Sequence, residues 1–175
     1  MCDILFRSNT RNLMLSLLTC ACLATVNEGH LCAQATDQVW ESGTPTRCTI
    51  VSVSKTSVKI SVSGSEREVA LKGIRKIAFA SEPGELRSAR EAVRNGRYEN
   101  AAETLSKVNT GNIRRALVRQ DVQFYLAYAK GKLALQSPND KTAVSKELLD
   151  FVSANPSTFH FLPAAELLGD LAMSE

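Results

Sequence analysis

The stretch NGRYENAAETL, Asn95 to Leu105, decides how the second half of this chain is read. Ahead of it, Leu86, Ala89 and Val93 recur on one helical face with Ala92 beside them, and from Tyr98 to Val108 the residues Ala101, Ala102, Leu105 and Val108 repeat the pattern. Asn95-Gly96 separates the two runs, and helices joined by so short a link must lie antiparallel. Within this hairpin Gly96 permits the left-handed turn. Tyr98 is large enough to fill the wedge between helices, and Ala101 lets the second backbone come close.

Downstream, Asn109-Thr110-Gly111-Asn112 precedes a longer helical run carrying Leu117, Phe124, Tyr125, Tyr128 and Leu135. Ser137-Pro138-Asn139-Asp140 breaks it, with Asp140 as the expected N-cap of a helix holding Val144, Leu148, Phe151 and Val152. Asn155-Pro156 stops that helix, and a last one covers PAAELLGDLAMSE. Five helices are predicted: two hairpins and one without a partner.

Gly96, Tyr98, Ala101 and Leu105 follow the pattern Gly-x-Tyr-x-x-Ala-x-x-x-Leu, which resembles the tetratricopeptide repeat. Pro156 resembles the terminating proline of a second repeat, and Leu168-Gly169 the Leu-Gly pair that opens a third. The first helix departs from the family, with Ser88-Ala89 where Leu-Gly is usual, and the second repeat lacks Gly-x-Tyr. The resemblance implies a solenoid that recognises a protein or peptide along the groove made by the first helices of successive hairpins. An ordinary helical bundle using Gly96 as a C-cap is the alternative.

Toward the N-terminus the period changes to two. Val58, Ile60 and Val62 alternate with Lys59, Ser61 and Ser63, RCTIVSVS is rich in β-branched residues, and Lys55-Thr56-Ser57 and Gly64-Ser65 read as turns. With Val69, Leu71, Ile74, Ile77 and Phe79 following, residues 36–81 are expected to form a small, curled antiparallel sheet of four or five strands, which is similar to SH3-like modules. So small a sheet buries too little apolar surface alone and should lean on the helices of residues 82–175. The fold class expected is α+β.

Residues 1–35 read as a secretory signal. Arg7 and Arg11 precede the apolar run LMLSLLTCACLA, and Ala33-Gln34-Ala35 offers a cleavage site. Residues before Cys20 and Cys22 do not fit a lipoprotein anchor, and no apolar run approaches the ~20 residues a membrane helix needs. Export to a periplasm or medium, without stable membrane insertion, is the expectation. Cleavage would leave Cys48 as the one thiol, read as a small apolar strand residue.

Catalytic chemistry finds little to work with. Beyond residue 35 there is one histidine, His160, and one cysteine, with no zinc spacing, no calcium loop, no phosphate loop and no G-x-S-x-G elbow. Glu147 with Asp150, and Glu166 with Asp170, have helix-surface spacings. His160, between Phe159 and Phe161, reads as a helix-start or packing residue. No cofactor and no metal are expected.

The arginines carry the functional expectation. Arg87, Arg90, Arg94 and Arg97 recur at three, four and three residues and line one stripe of the first helix, suited to clamping carboxylates. Tyr125 and Tyr128 are candidate aromatic contacts. A net charge of +3 and no basic aromatic platform argue against nucleic acid. The reading is an exported, non-enzymatic binding or scaffold module with an acidic protein or peptide partner, and with self-association through the apolar C-terminal helix as a further expectation. A degenerate cell-envelope hydrolase, its accessory domain, or a piece of a longer repeat protein are the alternatives.

Overall fold

The computed structural model describes residues 36–137 and 141–174. The signal segment, the Asp140 cap and the Pro138 break lie outside the described residues. Five strands come first: β1 (Asp37–Trp40), β2 (Pro45–Val53), β3 (Ser57–Val62), β4 (Ser65–Ala70) and β5 (Lys76–Ala78). Five helices follow: α1 (Gly84–Arg94), α2 (Tyr98–Ser106), α3 (Ala116–Gln136), α4 (Lys141–Ala154) and α5 (Phe161–Met173). The fold is α+β, as the change of period predicts.

All strand pairings are antiparallel, and the sheet order is β4-β3-β2-β1-β5. The last strand therefore returns to pair with the first, after a single 3-10 turn at Leu71–Gly73. Alternation decides the buried face, with Val58 and Ile60 fully buried while Lys59 between them is exposed. Ser63 and Gly64, both at positive φ, form the tight turn between β3 and β4, one residue earlier than the sequence places it. A bulge sits between Ile50 and Ser52 and leaves Val51 out of register and exposed.

The α1–α2 link is a Schellman turn. Arg97 N–H donates to the Ala92 carbonyl at 2.8 Å, Gly96 N–H donates to Val93 at 3.0 Å, and Gly96 sits at φ +70°. Ala101 is fully buried in the core that α2 shares with its neighbours, and Tyr98 packs half-buried against the same core. Each helix packs on the next in sequence, and α3 also touches α1 and α5. Gly131 permits that last contact, since a Cβ there would lie 2.6 Å from Leu167 Cδ2.

The sheet leans on the helices as its size demands. Val39, Ile60, Ile77 and Phe79 share one apolar cluster with Leu86, Ala89, Leu105, Val118 and Val122. A second cluster, around Phe124, Leu148, Phe151, Ala164, Leu167 and Leu171, holds α3, α4 and α5 together. In α5, Leu167 and Leu171 are fully buried by the chain's own helices, which leaves Met173 as the exposed apolar residue of its last turn. Gly169 faces open space.

Candidate functional site

Two ionic knots form within the fold, one between the sheet and the start of α3 and one among the helices. In the first, Asp37 at the start of β1 accepts from both terminal nitrogens of Arg115, the residue before α3, with Nη2 at 2.7 Å. It also accepts the backbone N–H groups of Ile50 (2.9 Å) and Ala80 (2.8 Å). Burial alone would raise the Asp37 carboxyl, but Arg115 and the two amides outweigh it and hold it below its ordinary range.

The second knot is deeper. Arg90 of α1 donates through Nε (2.9 Å) and Nη2 to Oδ2 of Asp121 on α3, and through Nη1 to Glu82 Oε2 at 2.7 Å. Glu82 also accepts Phe79 N–H at 2.9 Å. Asp121 Oδ1 lies 2.6 Å from Nε2 of His160, the N-cap residue of α5. Asp121 is 1% exposed, so its desolvation is severe; His160 and then Arg90 overcome it and keep the carboxyl below its ordinary value. An ionised carboxylate only accepts, which places the proton on Nε2 of His160.

Aromatic rings wall this knot. The His160 ring stacks on Phe124 at 3.8 Å and 9°, with Tyr125 edge-on at 5.4 Å. The Arg90 guanidinium lies over Phe79 and Tyr125 at 5.7 and 5.8 Å. Burial, together with the Asp121 charge, pushes the Tyr125 phenol far up and keeps it protonated.

A cleft of about 380 Å³ opens beside the knot, between the segment from Leu71 to Ile77 and the helical residues Arg90, Asp121, Tyr125 and Phe159–Pro163. Its size suits a side chain or two of a ligand. Lys72 and Arg75 stand exposed on its rim, and neither has a carboxylate within 4.0 Å among the described residues. Lys76, also on the rim, pairs with Glu91 at 3.1 Å. Leu162 on the far wall is 61% exposed. A roomier hollow of about 510 Å³, between the start of α1 and the α2–α3 link, mixes Glu85 with Lys107 and Arg114 and lies apart from the buried His160–Asp121 pair.

The arginine stripe is divided. Arg90 is turned inward and 6% exposed, committed to Asp121 and Glu82, so it departs from the surface clamp the spacing suggests. Arg94 pairs with Glu91 at 3.0 Å, and Arg87 Nε lies 3.6 Å from Glu82 Oε1. Arg97 is exposed. Tyr125 lines the cleft; Tyr128, one turn on, is half-buried with Lys132 5.5 Å over its ring. Among the repeat-motif positions, Pro156 is exposed in the α4–α5 link, and Leu168 is half-buried.

Sequence reading missed Glu82 and Asp121. Asp121 stands three residues after Val118 and four before Tyr125, on the face the apolar period buries, and an acid there needs a buried partner. The cleft lining contains no serine, threonine or cysteine beside the His160–Asp121 pair. Cys48 is buried in β2, its thiol pushed up by burial and by Asp37. Among the described residues no group of three or more His, Cys, Asp or Glu is arranged to hold a metal, and no helix is long and apolar enough to cross a membrane. No family model, curated protein or solved structure matches the chain.

Proposed function

We propose that this chain is an exported, non-enzymatic binding or scaffold module, built as a small SH3-like sheet on a short solenoid resembling tetratricopeptide repeats. The observation that carries the binding reading is the cleft, which gathers residues of α1 and α3 and the start of α5 beside the buried Arg90–Asp121–His160 knot. These three are the first helices of successive hairpins, the face such solenoids use for recognition. Neighbour-to-neighbour packing of the helices, with α3 touching both α1 and α5, supports the solenoid reading. The sheet fills the near part of the groove, through Ile77 and Phe79 against Leu86 and Val118, and the cleft is the part left open.

Asp121 is not poised as a general acid at neutral pH, which needs a raised pKa, because its shift runs the other way. The export part rests on the leader pattern alone. The test is affinity capture from the exported fraction with the full chain, alongside Leu162→Glu and Leu149→Glu chains. Both leucines are exposed, one in the cleft and one on the outer side of α4. A protein retained by wild type and Leu149→Glu but lost by Leu162→Glu is the expected result; loss with Leu149→Glu alone, or no specific protein at all, would overturn it.

A further inference from the structure

The cleft has a chemical asymmetry that defines its ligand. On one wall the turn and strand from Leu71 to Ile77 present Lys72 and Arg75, both exposed and without acidic partners among the described residues. On the other wall Tyr125, Phe159 and Leu162 present aromatic and aliphatic surface. The acid at the cleft's edge is already engaged inside the knot, since Asp121 takes Arg90 on Oδ2 and His160 on Oδ1. The cleft is therefore cationic on one side and apolar on the other. Burial of Leu162 would remove apolar surface now in water.

Resting on the binding reading above, we infer that the cleft is a docking site for a peptide segment of a partner protein in which an acidic residue stands next to a large apolar one. The acidic side chain meets Lys72 and Arg75, and the apolar side chain lies between Ile74 and Leu162 against Phe159. Charge complementarity excludes a basic segment, since it would bring like charge onto both rim cations. A volume of about 380 Å³ has room for two adjacent side chains. The arginine stripe of α1 contributes little, with Arg90 consumed internally and Arg94 paired to Glu91.

The experiment is selection from a positional-scanning library of N-acetylated, C-amidated hexapeptides on the full-length chain, repeated with a Lys72→Glu/Arg75→Glu chain and a Leu162→Ser chain. All three positions are exposed, so the variants keep the fold. Wild type selects Asp or Glu adjacent to Leu, Phe or Met. The double charge reversal shifts selection to Lys or Arg and weakens the best acidic peptide about tenfold or more, as losing charge-assisted contacts requires. Leu162→Ser keeps the acidic preference and loses the apolar one. A wild-type library without acidic selection, or a preference unchanged by charge reversal, overturns the inference. If the captured partner still binds the charge-reversed chain, the binding reading stands and this site assignment falls. A dimer seen by light scattering that the charge reversal dissolves would make the occupant a second copy of this chain, and would also overturn it.

Discussion

Asp121 and His160 are thirty-nine positions apart in the chain, yet Oδ1 of one lies 2.6 Å from Nε2 of the other, both sealed from solvent and capped by Phe124. The pair ties the second turn of α3 to the N-cap of α5, and Arg90 carries the tie to α1. These helices are held together by charge as well as by packing.

Breaking one member of the knot strands the rest. Arg90→Met leaves Asp121 and Glu82 buried with a lost cation, and the expected loss is about 3–5 kcal/mol in urea unfolding. The double variant Arg90→Met/Asp121→Leu should cost less than the sum of the two single changes, since each removes the other's unmatched charge. Additive losses would mean that the contact contributes nothing as a pair.

Acid should loosen the fold. Asp37 and Asp121 have folded pKa values below their ordinary ones, so each contributes stability that is fully present above the unfolded value of ~3.9 and is lost as pH falls through the folded value. The urea midpoint is expected to be flat through their part of the neutral range and to fall steeply below about pH 4. Asp37→Asn lowers stability at neutral pH and makes the acid slope shallower. An unchanged slope would show that Asp37 is not ionised against Arg115.

Gly131 is a packing residue. A methyl group there meets Leu167 at 2.6 Å, and Leu148 lies at 3.5 Å behind it, both leucines fully buried. Gly131→Ala gains helix propensity of ~1 kcal/mol yet should destabilise by about 1–2 kcal/mol net, because overpacking outweighs it. A stabilised variant would show that α5 shifts freely on α3.

The hairpin turn makes a separate demand. Gly96→Ala places a side chain at φ +70° with nothing nearby to clash, so the cost is the backbone strain alone, about 1–2 kcal/mol, and thermal unfolding should move down accordingly.

Much of the fold was legible because local periodicity carries it. The alternation around Val58 and Ile60, the Gly96 turn and the small Ala101 are all written within a few residues of where they act. The arginine stripe shows where such reasoning stops. At about 100° per residue Arg90 lies roughly 40° from Leu86, close enough to the apolar face to turn inward, whereas Arg94 and Arg87 lie further round. Spacing alone does not decide between the two fates; a buried acid on another helix does. His160 looked partnerless for the same reason, as its partner is on a helix that no local pattern connects to it. The cleft's cations lie in and just after a 3-10 turn, Lys72 within it and Arg75 two residues beyond, and the turn leads into β5, which closes onto β1.

The central claim is that the open part of the helical groove, beside the buried knot, is where a partner binds. Hydrogen–deuterium exchange of the full chain with and without the captured partner tests it most directly. The account predicts new protection in residues 71–77 and 159–163, with the outer side of α4 around Leu149 unchanged. Protection centred on Leu149, with residues 71–77 and 159–163 exchanging as before, would contradict it.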